Sequence, residues 1–461
     1  MTNNFSNLNL DTILLNNLES LGYHNMTPIQ AVSLPHILAG KDLIARAKTG
    51  SGKTVAFGLG LLNTLNQSSY NAQGLVLCPT RELADQVAKE LRRLARTNAN
   101  TKIITLCGGK PFGPQINSLQ HGAHIIVGTP GRILKHLAKG TLSLGSIRCV
   151  VLDEADRMLD MGFNDDITEI ITHTRAQRQT LLFSATYPES IQEISSSFQI
   201  EPIEITIDSD HKDLKITQRF YEVGKGKRNL TLCSLLAQYK PTSTVVFCQT
   251  RLQCQEVSEF LQQAGIQALA LHGDLDQKER DMTLVRFSNR STPVLVATDV
   301  AARGLDIKEL GAVINYELPR DPEVYIHRIG RTGRAGSKGL ALSLFISSEA
   351  NRVNAIESYL QSDIRLEQPP GLELPDGFTL NAPNITLCID AGRKEKLRPG
   401  DILGALTADK TIPSNKVGKI DIFDHVAYVA IDRSIRKIAL RTLSKDKIKG
   451  RRFKIRMIAK S

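Results

Sequence analysis

The sequence predicts an α/β protein in which two tandem parallel-sheet domains are followed by a small α+β domain. Three observations predict it. Short runs that are apolar throughout, rather than alternating, recur in two series, as expected of parallel strands covered by helices on both faces. The stretch "LEQPPGLELPDG" then breaks the rhythm with Pro and Gly. Beyond it the order of elements becomes β-α-β-β-α-β.

The first series is "DLIARA", "GLVLCPT", "KIITLCGG", "AHIIVGTP", "CVVLDEAD" and "TLLFSAT", each followed by a polar, helix-like stretch. A second series, after "HKDLKITQRF", runs "STVVFCQT", "QALALHGD", "PVLVATDV", "AVINYELP" and "LALSLFI". The expected domains are residues 1–208 and 209–365, with a connection over 366–383 and a final domain over 384–461. In that domain the strands are "NITLCID", "KVGKIDIFD", "HVAYVAID" and "RRFKIRMI", with helices starting near "RPGDILGALT" and "DRSIRKIALRTL". Asp432 suits a helix N-cap, and Ile435, Ile438, Ala439 and Leu443 recur on one helical face. This order is that of a ferredoxin-like split βαβ sandwich, the plan of RNA-recognition modules. In the last strand Phe453, Ile455 and Met457 alternate with Arg452, Lys454 and Arg456, so three apolar groups face the core and three cations face out.

Charge is distributed unevenly. Residues 384–461 carry 19 Lys and Arg against 8 Asp and Glu, net +11, while the remaining 383 residues carry 39 of each. A localised positive domain on a neutral body points to a polyanion bound through its phosphates. The seven cysteines show no CxxC pair and sit in runs such as "LVLC" and "VVFC", which suits small buried thiols in a reducing compartment. No apolar run approaches the length of a membrane span, and the N-terminus lacks the pattern of a secretory signal. The expectation is a cytoplasmic protein with no membrane partner.

Candidate phosphate chemistry starts at "AKTGSGKT", Ala47, Lys48, Thr49, Gly50, Ser51, Gly52, Lys53 and Thr54, between a strand and a helix. Such a glycine loop lets backbone N–H groups wrap phosphates, while Lys53 reaches the β/γ oxygens and the Thr54 hydroxyl joins a Mg²⁺ shell. "VVLDEAD" delivers Asp153 and Glu154 at a strand end, the first to hold Mg²⁺ through water, the second to orient or deprotonate the attacking water. "HRIGRTGR" offers Arg328, Arg331 and Arg334 to stabilise charge on a transferred phosphoryl group, and Arg331 and Arg334 would act from a cleft between the domains.

From Phe5 to Ile346 the chain resembles the DEAD-box ATP-dependent RNA helicases, which have two RecA-like domains. The resemblance rests on "GYHNMTPIQ", "AKTGSGKT", "PTREL", Gly108–Gly109, "TPGR", "DEAD", "SAT", "VVFCQT", "LHGDLDQKER", "VATDVAARGLDI" and "HRIGRTGR", in the family's order. It implies that Gln30 reads adenine while Phe5 stacks on the ring, with Thr27 in the same motif, and that Asp306 binds the ribose. Ser184, Thr186 and His327 would couple hydrolysis to RNA. Arg81, Gly109, Thr129 and Arg132 in the first domain, and Thr250, Arg280 and Thr298 in the second, would hold the sugar–phosphate backbone, with little base preference.

The final domain looks like the RNA-binding domain of the DbpA subfamily, on "RPGDILGAL", "VGKIDIFD", "AYVAI" and "IKGRRFKIR". That resemblance implies recognition of a hairpin in large-subunit ribosomal RNA and a role in ribosome assembly. Tyr428 is the sole aromatic of the third strand, so RNA contacts are expected from a cationic rim of Lys396, Arg398, Lys419, Arg451, Arg452 and Lys454. The resulting expectation is an ATP- and Mg²⁺-dependent monomeric RNA helicase that locally unwinds RNA. An ATP-gated RNA clamp and a general remodelling helicase for RNA decay or cold adaptation are the alternatives, and no DNA partner is expected.

Overall fold

A computed structural model describes residues 3–47, 50–98, 100–186, 189–207, 216–302, 310–333, 339–371, 374–375 and 377–458. The chain divides into two compact units, with the division in sequence near residue 210.

The first unit is built on a seven-stranded parallel sheet: β1 (Leu43–Arg46), β2 (Gly74–Leu77), β3 (Ile103–Leu106), β4 (Ile125–Gly128), β5 (Cys149–Asp153), β6 (Gln179–Ser184) and β7 (Ile203–Thr206). Their order is β3-β4-β2-β5-β6-β1-β7. The apolar runs are explained by burial on both faces. Leu43, Ala45, Val76 and Val151 enter one core, and their neighbours Ile44, Leu75, Leu77, Val150 and Leu152 enter the other. Because all strands run the same way, every C-terminal end lies along one edge of the sheet, where loops can gather functional groups.

The second unit repeats the plan with β8 (Ile216–Glu222), β9 (Thr244–Cys248), β10 (Ala268–Leu271), β11 (Val294–Thr298), β12 (Ala312–Asn315), β13 (Gly339–Phe345) and β14 (Leu366–Glu367), in the order β10-β11-β9-β12-β13-β8-β14. Strands β7, β8 and β14 do not belong to the apolar series read from the sequence. Each lies at or beside a sheet edge, where polar residues are tolerated. The stretch read as a connection begins in β14, which Arg219 fastens to β8 through two hydrogen bonds to the Glu367 carboxylate at 2.7 and 3.0 Å. Further on, Leu374, Phe378 and Leu380 pack on the second domain's core.

The same unit contains a four-stranded antiparallel sheet of β15 (Asn384–Ile389), β16 (Val417–Ile422), β17 (Ala427–Asp432) and β18 (Ile455–Met457), ordered β16-β17-β15-β18. Leu387, Ile389, Val429 and Ile431 face its two helices, Pro399–Thr407 and Arg436–Lys445. The terminal basic stretch is a folded edge: Phe453, Ile455 and Met457 pack on this core, while Arg452, Lys454 and Arg456 are exposed. Asp432 does cap, accepting from Ser434 N at 2.9 Å, but it caps a 3-10 turn, Arg433–Ile435. That turn changes the phase of the following helix. Ala439 and Leu443 are buried, whereas Ile438, expected on the same face, is 46% exposed.

The opposite face of this sheet is covered by the second domain. Cys388 and Tyr428, paired across β15 and β17, form an apolar cluster with Val285 of the helix Gln277–Ser288. A polar seam surrounds it. Asn289 Nδ2 donates to Thr386 Oγ1 at 3.2 Å, Asn384 Nδ2 donates to the Asn289 carbonyl at 3.0 Å, and Arg433 donates to the Ala382 carbonyl at 2.7 Å. All seven cysteines are buried and free.

Candidate functional site

The glycine loop follows β1 and ends where the helix Lys53–Asn63 begins. Gly50 and Gly52 have φ of +86° and +99°, a backbone region that other residues adopt only under strain. A Cβ on Gly52 would also meet Gln30 Nε2 at 2.5 Å and Thr27 Oγ1 at 3.0 Å. The loop is therefore held from behind by the first motif. Gln30 Nε2 donates to the Gly52 carbonyl at 3.0 Å, and Gln30 Oε1 accepts from Thr27 N at 2.9 Å. Lys53 is 6% exposed and its Nζ donates to the Ala47 carbonyl at 2.9 Å. Lys48 and Thr49 lie outside the described residues.

The carboxylates stand beside this loop at the end of β5. Asp153 is 3% exposed, and burial pushes its carboxyl pKa up to about 6, with Lys53 pulling the other way and Glu154 adding to the rise. Glu154 has φ +55° and its Oε2 accepts from Arg157 Nη1 at 2.9 Å, within a pair that is almost wholly buried. A non-glycine residue in that region costs about 1–3 kcal/mol and is retained where the surroundings fix it, commonly at functional sites.

Asp156 is a residue that the sequence reading did not single out. Two residues beyond Glu154, its Oδ2 accepts from Ala185 N at 3.2 Å and from Thr186 N and Oγ1 at 3.1 Å. Ser184 Oγ donates to the Thr186 carbonyl at 2.6 Å. The two acidic and hydroxyl motifs thus form one buried hydrogen-bonded unit. A signal for it exists in the sequence, since "DEAD" and "SAT" both end strands of the kind that gather on one edge.

The ends of β2, β3 and β4 assemble a second group on the same edge. Arg81 opens the helix Arg81–Leu94 and lies over Gly108, where a Cβ would approach its Nη2 to 3.1 Å. Gly109 turns the chain at φ +73°. Thr129 precedes the helix Pro130–Ala138, on which Arg132 donates to Gln115 Oε1 and to the Lys110 carbonyl, both at 3.1 Å. Burial and the charge of Arg81 lower the Arg132 pKa. Two guanidinium groups, a glycine turn and helix N-termini together suit an anionic backbone. Gln115 and Lys110, which position Arg132, were not read from the sequence.

Phe5 is not an open ring in this structure. It is 3% exposed in the first core, with Leu10 and Leu14 as neighbours there, because the N-terminal segment is pinned by the hydrogen bond from Met26 N to the Asn3 carbonyl at 2.6 Å. The stacking expected of Phe5 has no free ring face in this arrangement.

The second unit gathers its residues in the same way. Thr250 follows β9 and caps the helix Arg251–Gln263, accepting from Gln253 N at 3.2 Å. Thr298 ends β11 and accepts from Ala301 N at 3.3 Å, and Arg280 Nη2 reaches the Ala301 carbonyl at 3.3 Å. The helix Pro322–Ile329 carries His327, which is half-buried, and Arg331 follows it. Arg328, offered with the other arginines, is structural: it is 2% exposed, with Nε and Nη2 donating to the Asp299 carboxylate, both at 2.8 Å. Arg334 and Asp306 lie outside the described residues.

In the small domain Lys396, Arg398, Arg451, Arg452 and Lys454 are exposed. Lys449, not singled out from the sequence, donates to the Lys396 carbonyl at 3.0 Å and lies 3.9 Å from the Asp401 carboxylate. It joins the 449–452 turn to the start of the helix Pro399–Thr407, so the basic residues form one ridge. Lys419 is not part of that ridge. It pairs with Asp421 at 3.0 Å and donates to Ser288 Oγ at 3.3 Å, on the covered face.

The donors around the glycine loop fit a nucleotide with its cation. Ser51 Oγ and Thr27 Oγ1 are buried with no partner among the described residues, the loop tolerates no side chain at Gly52, and Asp153 and Thr54 offer the oxygen ligands that Mg²⁺ takes alongside phosphates.

Family models match three stretches: DEAD/DEAH box helicase over residues 27–194, helicase conserved C-terminal domain over 226–336, and DbpA RNA binding domain over 386–457. The chain is 55% identical over 456 residues to the ATP-dependent RNA helicase DbpA of Escherichia coli, covering 98% of this chain and 99% of that one. It is 46% identical over 354 residues to the DEAD-box ATP-dependent RNA helicase CshA of Bacillus cereus, covering 77% of this chain and 67% of that one. Among solved structures, S. cerevisiae Dbp5 bound to RNA and ADP BeF3 matches with TM-score 0.70 and 29% identity, over 79% of this chain and 95% of that one. With the phosphate loop, the linked carboxylate and hydroxyl motifs and the basic third domain in place, the chain belongs to the DEAD-box ATP-dependent RNA helicases, and within them to the DbpA type.

Proposed function

We propose that the third domain addresses this RNA helicase to large-subunit ribosomal RNA, so that ATP-driven remodelling acts locally on that RNA during ribosome assembly. The observation that carries this reading is the ridge of Lys396, Arg398, Lys449, Arg451, Arg452 and Lys454, in the domain that holds the chain's entire positive excess. The sheet face that RNA-recognition modules use for base stacking is occupied by Val285, which leaves the ridge and its loops as the RNA surface. A match to a DbpA-type RNA-binding domain supports the same assignment.

In this reading Lys53 and the loop amides bind the nucleotide phosphates, and Asp153 with Thr54 holds Mg²⁺, which neutralises phosphate charge when bound. Glu154, fixed by Arg157, orients the attacking water, and Gln30 joins the adenine side to the loop. Asp156 transmits the state of this site through Thr186 to the RNA group of Arg81, Gly109, Thr129 and Arg132. Thr250, Arg280 and Thr298 hold RNA in the second unit, where Arg331 and Arg334 supply charge stabilisation for hydrolysis and His327 couples it to RNA. The protein acts as a cytoplasmic monomer. Among the described residues no helix is long and apolar enough to cross a membrane.

Steady-state ATPase rates with equal masses of large-subunit ribosomal RNA, small-subunit ribosomal RNA and poly(A) test the proposal. Stimulation confined to the large-subunit RNA is expected. Equal stimulation by all three would reduce the ridge to a general electrostatic grip.

A further inference from the structure

Where the connection to the third domain crosses the second, it borders a cleft of about 140 Å³ lined by Gln262, Gln267, Arg286, Thr292 and Thr379 together with backbone of Gly265 to Ala268. The connection is pinned there. Leu380 N donates to the Gly265 carbonyl and Gln267 N donates to the Leu380 carbonyl, both at 3.2 Å. The cleft contains a donor without an acceptor. Thr292 is 2% exposed, and its buried hydroxyl has no partner. Arg286 lines the same cleft, and burial lowers its pKa with no acidic neighbour to offset the effect. Among the described lining residues there is no carboxylate. A buried hydroxyl left unpaired costs more than most single contacts contribute, and a half-buried guanidinium beside it favours an anion.

We propose that this cleft is a binding site for one phosphate-sized oxyanion, held by the Arg286 guanidinium and the Thr292 hydroxyl. A cation is repelled by Arg286, and an apolar group would leave the Thr292 hydroxyl unpaired. The volume suits a single tetrahedral anion with a little water and not a whole nucleotide. Two sources share that chemistry, an RNA backbone phosphate and free inorganic phosphate. The site lies outside the phosphate loop and the ridge, and its position gives it a consequence. The helix bearing Arg286 also carries Arg280 and the docking residue Val285, and Gln267 accepts from Arg433 of the third domain at 3.2 Å. An anion here braces the joint between the second domain and the RNA-binding domain.

The test follows the Arg286 Nε–Hε resonance of the full-length protein, assigned by its loss in Arg286→Lys, with Mg²⁺ and ADP occupying the phosphate loop. Titration with inorganic phosphate is expected to move this resonance saturably, against chloride at matched ionic strength. Thr292→Val is expected to weaken the effect roughly tenfold, since a hydrogen bond to a charged group is lost, and Thr292→Ser to preserve it. Should the valine variant not fold, Arg286→Met read at the Gln267 side-chain amide serves instead, and phosphate is expected to leave that amide unmoved. A shift produced by a short single-stranded RNA, absent with phosphate alone, would support the site and assign it to the RNA backbone. A resonance that neither probe moves, or that chloride moves equally, would overturn the proposal.

Discussion

At the residue scale, Asp153 shows how burial and charge set the titration of the carboxylate proposed to hold Mg²⁺. Its folded pKa of about 6 lies above the ordinary 3.8, because desolvation outweighs the attraction of Lys53. The uncharged form is therefore favoured by folding: its contribution to stability is complete below the unfolded pKa and is lost as pH rises through about 6. At pH 8 the buried carboxylate destabilises the fold by on the order of 3 kcal/mol. Asp153→Asn is expected to raise the melting temperature at pH 8 more than at pH 4 while abolishing ATP turnover; a lowered melting temperature at pH 8 would contradict this. The Mg²⁺ concentration for half-maximal ATPase is expected to rise between pH 7.5 and pH 5.5, as protonation competes with the cation. Lys53→Ala is expected to abolish nucleotide-dependent turnover. Glu154→Gln is expected to retain ATP and RNA binding but to slow hydrolysis by roughly 10²–10⁴. Equal loss of ATP binding in both variants, measured by fluorescent-nucleotide titration, would contradict the separate roles.

At the element scale, turns decide what the loops can do. Gly52→Ala combines a φ of +99° with a collision at Gln30 Nε2, and is expected to weaken ATP binding at least tenfold by displacing the motif that backs the loop. Unchanged affinity in a nucleotide titration would show that Gln30 and the loop are independent. This scale also shows what was legible in sequence. Strands buried on both faces, such as β2, β4 and β9, advertise themselves as unbroken apolar runs, and the phosphate loop and strand-end carboxylates carry their chemistry in local spacing. Strand β7 at a sheet edge and β8 beside one face solvent in part and read as polar mixtures. Ile438 escaped because a 3-10 turn, invisible in a helical period, resets the phase before Arg436. Asp156 and Thr186 lie thirty residues apart, so only the fold reveals that one carboxylate takes three donors from that turn. Phe5 was assigned from motif resemblance, whereas packing of its segment against Met26 decides its exposure.

At the scale of the whole molecule, the RNA-binding domain is a fixed extension of the second domain and not a tethered appendage. Tyr428 is 7% exposed against Val285 and Cys388, and the seam around them is hydrogen-bonded. Removing residues 384–461 would expose Val285, so point substitutions are the cleaner probe. Tyr428→Ala is expected to destabilise the protein by about 3 kcal/mol in urea unfolding and to increase the radius of gyration in small-angle scattering. An unchanged radius with the same loss of stability would mean that the polar seam alone holds the domain.

In the proposed division of labour the ridge supplies the address while the two helicase domains supply the motor. The most direct test is a variant with Arg398, Arg451, Arg452 and Lys454 all changed to Ala, assayed for steady-state ATPase with large-subunit ribosomal RNA and with poly(A). The ratio of the two rates is expected to collapse toward unity while the rate with poly(A) is unchanged. A ratio equal to that of the unaltered protein would contradict it.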